Sequence, residues 1–219
     1  MMSGSSHSDA RSSIFASIRD NLAKSRPYDD ARHHEPDVVS SATVTDASTD
    51  RLEVFRESLE SVGAKCTFVE NESEASERLR AIVSDKSATE IIVSDSELVH
   101  RIVNAAGIDA IEDASRDELF DSDIGITSAQ WAIAETGTLV LESGAERHRL
   151  ASLVPPVHVC LLTADSIRQS MAEILEITNV DANPAITFIT GASRTSDIEL
   201  TLAIGVHGPG ELYVIVIKN

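Results

Sequence analysis

The spacing of apolar residues predicts that helices and strands alternate along most of the chain. From residue 50 onward, some stretches repeat apolar residues with the period of a helix, and others are short continuous apolar runs. The stretches with helical spacing are 52–62, 72–84, 98–107 and 165–177. The strand-like runs are 65–70, 90–93, 123–126, 138–142, 157–162, 185–190 and 211–217. Such alternation predicts an α/β domain with a mostly parallel sheet flanked by helices.

The first 49 residues have a different pattern. Residues 1–11 are small and polar, which predicts a disordered leader. Ser12 or Ser13 is expected to cap a short amphipathic helix that stops before Pro27, and residues 28–48 predict a linker arm. The apolar face of that helix consists of Ile14, Phe15, Ile18 and Leu22. We therefore expect residues 1–49 to form a leader, helix and arm, and residues 50–219 to form the α/β domain.

The charge balance is strongly acidic, with 36 Asp and Glu against 18 Lys and Arg and a formal net charge of −18. Such a chain repels phosphate backbones and anionic lipid surfaces, so neither nucleic acid nor a membrane is an expected partner. No apolar run approaches the roughly 18 residues that a membrane span requires, and the N-terminus has no hydrophobic signal region. We expect a soluble, cytoplasmic protein.

The cysteine and histidine content limits the metal chemistry. Cys66 and Cys160 both lie in apolar, strand-like runs, where they are expected to be small buried hydrophobic residues rather than reactive thiols. Two cysteines cannot supply a four-thiolate iron–sulfur site. The seven histidines show no paired ligand spacing, so no metal site is expected.

The first candidate for chemistry is Glu135, in the segment Gly125–Ser143. A helical stretch is expected at Ser128–Ala134, followed by a turn at 135–138 and an apolar strand. A carboxylate held between apolar elements would be partly desolvated, which raises its pKa and suits a general base or acyl acceptor. In the alternative, Glu135 caps or pairs with a neighbour, and Gly137 only provides a tight turn.

The second candidate is an anion-binding loop at Gly191–Thr195. It follows an apolar strand, so its backbone N–H groups could face an anion, with Ser193, Arg194 and Thr195 adding side-chain donors. The spacing of Ser196-x-x-Glu199 indicates a capped helix start, whereas alternating apolar residues from 198 to 204 indicate a strand. An ordinary helix start with a solvent-facing arginine is the alternative to a ligand-binding loop.

The third candidate is His207, in a turn rich in Gly and Pro before the final strand. Histidine suits proton transfer near neutral pH, although a turn histidine often has no function. His158, inside an apolar strand, is expected to be a hydrogen-bonded core residue. The catalytic candidates are therefore Glu135 and His207. The candidates for binding a substrate or anion are Thr136, Gly137, Thr138, Gly191, Ser193, Arg194, Thr195, Asp197 and Gly208.

Three segments together resemble the lactate-utilisation protein C family, also called the LUD domain. They are GITSAQWAIAETGTLVLES at 125–143, SLVPPVHVCLL at 152–162 and TGASRTSDIELTLAIGVHGPGELYVIVI at 190–217. The resemblance extends from about residue 50 to the C-terminus, and the three motifs occur in the family's order and spacing. Ala192 stands where the family's loop usually has proline, which loosens the loop without removing its donors.

The resemblance implies a NagB/RpiA/CoA-transferase-like fold and a role in oxidising L-lactate to pyruvate beside two subunits that carry iron–sulfur clusters. This chain would hold no cofactor alone, and a small carboxylate or phosphate is its expected ligand. A second hypothesis is a free-standing enzyme with Glu135 as base or acyl acceptor, the Gly191–Thr195 loop holding an anion and His207 moving protons. A third is a structural or regulatory module.

Overall fold

The computed structural model describes residues 6–24, 50–143, 149–178, 183, 185–195, 203–205 and 207–218. The chain divides into two compact units, residues 1–38 and 39–219, which are described separately below. None of the helices in these described ranges is long and apolar enough to cross a lipid bilayer.

Six α-helices have defined bounds in the described residues. They are α1 Ser6–Lys24, α2 Arg51–Ser61, α3 Glu72–Lys86, α4 Glu97–Ala106, α5 Arg116–Asp121 and α6 Met171–Ile177. Short 3₁₀ turns add Arg149–Ser152 and Ala164–Ser166. Asp50, Asn71, Ser115 and Ser170 each cap a helix through a side-chain oxygen that accepts a hydrogen bond from a backbone N–H of the first turn.

In the described residues, eleven strands form two main sheets and one two-stranded pair. They are β1 Lys65–Val69, β2 Ile91–Val93, β3 Ile124–Ser128, β4 Trp131–Ile133, β5 Thr138–Glu142, β6 Val157–Thr163, β7 Ile167–Arg168, β8 Ile186–Ile189, β9 Arg194–Thr195, β10 Ala203–Ile204 and β11 Glu211–Ile217. The central sheet has the order β1-β11-β6-β3-β2, and all its strand pairs are parallel. The second sheet has the order β7-β4-β5-β8, and β9 pairs with β10 in antiparallel orientation. The α/β class and the mostly parallel sheet are therefore confirmed.

The central sheet is covered on both faces. Helices α3 and α4 pack on one face through residues such as Leu79 and Ile102. Helix α2 and the second sheet pack on the other face through residues such as Phe55, Leu139 and Leu141. A parallel sheet buried on both faces requires nearly continuous apolar strands, which explains the unbroken apolar runs of β6 and β11.

Side chains of β6 alternate between the two faces. Val157, Val159 and Leu161 belong to the core under α3 and α4, whereas Cys160 and Leu162 belong to the core under the second sheet. His158 therefore lies on the face that the second sheet covers, because successive side chains of a strand point to opposite faces.

Helix α1 is the described part of the N-terminal unit. It begins at Ser6, so the expectation of a leader over 1–11 is wrong for residues 6–11, because no Gly or Pro interrupts the chain between Ser6 and Lys24. It ends before Pro27, as predicted. Its predicted apolar face is 46–66% exposed and consists of Ile14, Phe15, Ile18 and Leu22.

Two helix predictions were wrong. Residues Ser128–Ala134 contain strand β4 instead of a helix, because Ala132 faces the central sheet and Ile133 faces α6, so both sides of the strand are apolar. The stretch 165–177 forms a helix only from Met171, because Ile167 pairs with Ala132 in the second sheet. Apolar residues on both faces of a short strand leave no alternation by which the sequence could distinguish it from a helix.

Gly125 in β3 allows the 3₁₀ turn Arg149–Ser152 to lie directly on the sheet. A Cβ at this position would be 1.7 Å from the backbone oxygen of Ala151. Gly125 pairs with His158 in the neighbouring strand, so the turn brings Ser152 close to that histidine.

We expect Gly125→Ala to destabilise the protein by about 3 kcal/mol or more, because the methyl group clashes with backbone that cannot rotate away. The matched control is Gly107→Ala, which meets no atom within 4 Å and carries only the strain of a φ of +64°, about 1 kcal/mol. Urea unfolding measures both, and a loss at Gly125 no larger than at Gly107 would contradict the close contact.

Glu211, the first residue of β11, joins three elements. Its carboxylate accepts hydrogen bonds from Lys65 Nζ at 3.1 Å, from Tyr213 Oη at 2.9 Å and from Lys86 Nζ at the end of α3. The hydrogen bond from Lys86 is the largest cause that lowers the pKa of Glu211 to about 2. Burial has the next largest effect and raises the pKa, and the hydrogen bonds from Lys65 and Tyr213 lower it further. The cluster fixes the start of β11 against β1 and α3.

This cluster predicts an acid-sensitive contribution to stability. The pKa of Glu211 is lower in the folded state than its usual 4.5, so the contribution is present above about pH 4.5 and is lost as the pH falls towards 2. Glu211→Gln should reduce stability at pH 7 and flatten the pH dependence between these values, whereas Glu77→Gln on the exposed side of α3 should leave it unchanged. Urea unfolding at several pH values checks this, and equal acid sensitivity in both variants would argue against the cluster.

Candidate functional site

A cavity of about 420 Å³ lies between the central sheet and the second sheet. Its described walls come from five places in the chain, which are residues 152–153, His158, 187–194, 207–209 and Leu212. His158 and Leu212 are the second residues of β6 and β11, so the cavity lies beside the amino ends of these two strands.

The structure brings the Gly191–Thr195 loop and the His207 turn together at this cavity. The backbone N–H of Ser193 donates to the carbonyl of Pro209 at 2.8 Å. A Cβ on Gly208 would be 3.2 Å from Cβ of Ser193, which shows how closely the two segments approach. Of the predicted site residues, five line the cavity, namely Gly191, Ser193, Arg194, His207 and Gly208.

The loop is anchored to the C-terminal end of α2. Gly191 has a φ of +79°, and a Cβ there would be 2.5 Å from the carbonyl oxygen of Val62. The same oxygen accepts a hydrogen bond of 2.8 Å from Nη2 of Arg194. A cation that bonds the last carbonyls of a helix also interacts favourably with the helix dipole, so Arg194 has a structural role in addition to its place at the cavity.

The last two residues of the loop form strand β9. Arg194 pairs with Ile204 and Thr195 pairs with Ala203, so the end of the predicted strand at 198–204 is a strand at Ala203 and Ile204. Asp197 and the capping-box spacing of Ser196 and Glu199 lie outside the described residues.

The turn that carries Glu135 packs against α2 and does not line the cavity. The backbone N–H of Glu135 donates to the carbonyl of Gln169 at 3.2 Å, and the carbonyl of Glu135 accepts from Ser58 Oγ at 3.3 Å. Gly137, with a φ of +61°, lies against the backbone of Leu59, where a Cβ would be 2.3 Å from the nitrogen. The Glu135 side chain is half-buried.

A chain of threonine hydroxyls connects that turn to the cavity. Oγ1 of Thr136 is 2.6 Å from Oγ1 of Thr138, which is 2.8 Å from Oγ1 of Thr190 in the cavity wall. Glu135 and the cavity are thus neighbours through this chain.

His158 is buried, as predicted, and it also forms part of the cavity wall. Its Nε2 is 2.9 Å from Oγ1 of Thr127 in the adjacent strand. Its Nδ1 has no hydrogen-bond partner among the described residues. Burial lowers the pKa of His158 to about 3, so the imidazole is neutral at physiological pH.

The cavity differs in charge from the rest of this acidic chain. Its described walls contain no Asp or Glu, and they include the exposed residues Arg194 and His207. Within the described ranges, no group of three His, Cys, Asp or Glu side chains could hold a metal ion. The arrangement therefore suits a ligand that has an uncharged hydrogen-bonding group at the buried His158 and an anionic group near Arg194.

Sequence reasoning missed the cavity role of His158 and of Thr190. The available signal was a polar residue inside an apolar run, VHVCLL, beside a second polar residue in the neighbouring strand, GITS. This signal is weak, because the contact between Thr127 and His158 depends on the register of β3 with β6.

The neutral state of His158 predicts a pH dependence of stability. The unfolded histidine gains a proton below about pH 6.5 while the folded one does not until about pH 3, so stability is lost as the pH falls between these values. The loss approaches about 1.4 kcal/mol for each pH unit. His158→Gln should remove this slope, and His100→Gln, on α4 outside the cavity, should keep it. Urea unfolding from pH 7 to pH 4 checks both, and an unchanged slope in the His158 variant would refute the assignment.

Comparisons with known proteins identify relatives along most of the chain. An uncharacterized protein of Neisseria meningitidis is 36% identical over 170 residues, which cover 76% of this chain and 66% of that protein. Lactate utilization protein C of Deinococcus radiodurans is 40% identical over 117 residues, covering 51% of this chain and 55% of the relative. Lactate utilization protein C of Anoxybacillus flavithermus is 31% identical over 169 residues, covering 70% and 74%. The matched region thus spans about half to three quarters of the length of these relatives.

A solved structure has the same fold. The crystal structure of a DUF162 family protein from Deinococcus radiodurans matches with a TM-score of 0.59 and 27% identity, covering 78% of this chain and 99% of that chain. The model of the LUD domain matches residues 52–217, which include both sheets and every described wall of the cavity. The chain therefore belongs to the LUD domain family.

Proposed function

We propose that this chain is an accessory subunit of a cytoplasmic system that oxidises L-lactate to pyruvate, acting beside partner subunits that carry iron–sulfur clusters. The observation that carries the proposal is the similarity to relatives named Lactate utilization protein C, at 40% identity for the one from Deinococcus radiodurans. The match to the LUD domain, residues 52–217, includes β3 to β11, the part of the chain that forms the described cavity walls.

The cysteines of this chain do not fit an iron–sulfur cluster. Cys160 is fully buried, and burial raises the pKa of the half-buried Cys66 to about 12, whereas a cluster ligand must be a thiolate. Both residues pair with Val214 from opposite sides, which separates them by two strand spacings, about 10 Å, too far for a disulfide. Clusters in this system would therefore belong to the partners.

The share of this chain in the proposed role is to bind a small carboxylate or phosphate in the inter-sheet cavity. The absence of Asp and Glu from its described walls supports an anionic ligand, because the chain as a whole carries a net charge of −18. A free-standing enzyme is the second candidate. The hydroxyl chain from Thr136 to Thr190 favours it, because it connects the turn of Glu135 to the cavity.

A gene deletion tests the lactate role. In a host that has no paralogue of this gene, loss of this chain should abolish growth on L-lactate as the sole carbon source and leave growth on pyruvate intact. The tagged chain should co-purify with subunits that contain iron and acid-labile sulfide.

Normal growth of the deletion strain on L-lactate would contradict the proposal. Substrate conversion by the purified chain alone, lost in Glu135→Gln and retained in Glu142→Gln, would favour the free-standing enzyme. If the tagged chain co-purifies with the iron–sulfur subunits but the deletion strain still oxidises L-lactate, a structural or regulatory module is favoured.

A further inference from the structure

The buried floor of the inter-sheet cavity includes His158, and Nδ1 of this side chain is an unusual polar atom. The side chain is 1% exposed, and this nitrogen has no hydrogen-bond partner in the described part of the chain. A buried polar atom without a partner costs about 1–3 kcal/mol, and folded proteins contain few of them. A ligand oxygen within reach of Nδ1 would recover that free energy, which makes the imidazole a source of binding affinity.

The imidazole is neutral, which decides the kind of oxygen that it recognises. Burial lowers the pKa of His158 to about 3, so one ring nitrogen carries a proton and the other a lone pair. The partner of Nε2 is the hydroxyl of Thr127, at 2.9 Å, and a hydroxyl can donate or accept. The ring can therefore adopt either tautomer without losing that hydrogen bond.

Each tautomer matches a different oxygen. When Nε2–H donates to Thr127, Nδ1 accepts a hydrogen bond from a ligand hydroxyl. When Thr127 donates to Nε2, Nδ1–H donates to a ligand carbonyl. The pair of His158 and Thr127 is thus suited to an alcohol and to the corresponding ketone with equal numbers of hydrogen bonds.

The charge of the ligand follows from the exposed residues of the cavity wall. Arg194 is exposed there and uses Nη2 to bond the carbonyl of Val62, which leaves other N–H donors of its guanidinium for a ligand. His207 is also exposed in this region, and the described walls include no carboxylate. An anionic group is therefore favoured near Arg194, and the uncharged oxygen is favoured at His158.

We propose that the inter-sheet cavity binds a small organic anion that carries a hydroxyl or carbonyl oxygen, which hydrogen-bonds Nδ1 of His158 while the anionic group pairs with Arg194. This inference rests on the proposed function in taking 2-hydroxy and 2-oxo acids as the first ligands, since L-lactate carries the hydroxyl and pyruvate the carbonyl. A phosphorylated sugar also carries hydroxyl groups and an anionic group, so it has the same recognition chemistry. Because the volume of about 420 Å³ exceeds what a three-carbon acid fills, the larger sugar phosphate would contact more of the cavity walls.

Nitrogen NMR of the purified full-length chain, labelled with ¹⁵N-histidine, tests the site without any substitution at the cavity. Separate samples receive L-lactate, pyruvate or ribose 5-phosphate, with acetate and inorganic phosphate as anions that carry no alcohol or ketone oxygen in addition to the charged group. A hydroxyl ligand should shift Nδ1 of His158 as a hydrogen-bond acceptor, and pyruvate should move the proton to Nδ1. Acetate and phosphate should leave both ring nitrogens of His158 unchanged.

The arms of this experiment decide the ligand class. A shift with L-lactate or pyruvate identifies a small acid, and a shift with ribose 5-phosphate alone identifies a sugar phosphate. If none of the three changes the His158 signals, or if acetate changes them as much as L-lactate, the proposal is wrong.

Variants measure the same contact as affinity. His158→Phe keeps the volume of the ring and removes Nδ1, so the Kd of the bound probe should rise at least about tenfold. His100→Gln is the control, because this half-buried histidine lies on α4 and bonds the carbonyl of Ser94 outside the cavity. A folded His158→Phe variant with unchanged Kd would overturn the proposal, and if that variant does not fold, the spectra of the unaltered chain decide alone.

The binding result is independent of the growth test. Binding at His158 together with normal growth of the deletion strain on L-lactate would disprove the lactate role and leave the site standing. Loss of growth without any effect on His158 would do the reverse.

Discussion

Burial of the central sheet on both faces is the constraint on which the rest of the structure depends. Strands β6 and β11 lie between two helices on one side and the second sheet on the other, so almost every residue in them is buried. Apolar residues satisfy this constraint without hydrogen bonds, but a histidine does not. His158 meets it by losing its charge and by bonding Thr127 through one nitrogen. The chemical character of the cavity floor is therefore a consequence of how the sheets pack.

The position of the cavity follows from three close backbone approaches. Because Gly125 has no side chain, the 3₁₀ turn that carries Ser152 can lie against it. In the same way, Gly137 lets the Glu135 turn lie against α2, and Gly191 lets the Gly191–Thr195 loop lie against the end of α2. Open parallel sheets commonly bind ligands at the carboxyl ends of their strands. Here the described cavity lies at the amino ends of β6 and β11, because the second sheet and its connecting loops close over that end. The fold class alone would have suggested the wrong end of the sheet.

The sequence predicted most of the central layer and much less of the layer that forms the site. The apolar runs of β6 and β11 and the helical spacing of α3 and α4 are strong signals, because each element is long or its apolar face is continuous. Strand β4 has three residues with both sides covered, and β7 has two, so neither carries a period that a sequence could show. The second sheet depends on pairing between distant segments, such as β5 with β8, and the local sequence pattern does not show which segments pair.

The same distinction applies to the candidate residues. The loop at 191–194 and the turn at 207–209 could be predicted because Gly, Pro and donor side chains are concentrated there, and the structure places both at one cavity. Glu135 was chosen for the apolar residues on either side of it, but those residues are packed by the second sheet and α2, and the carboxylate belongs to a turn beside the cavity. Local apolar surroundings indicate that a residue is near a core, and they do not indicate which side of that core is open.

The distribution of charge connects the packing to the ligand. A net charge of −18 opposes any anion at long range, but screening in physiological salt limits that effect to about 8 Å. The described cavity walls supply a guanidinium, two imidazoles and several hydroxyls, and they contain no carboxylate. An anion that has reached the cavity is therefore governed by Arg194 and by the hydrogen bonds of neutral groups. The acidity of the surface slows the approach of such a ligand, and the composition of the cavity determines whether it stays.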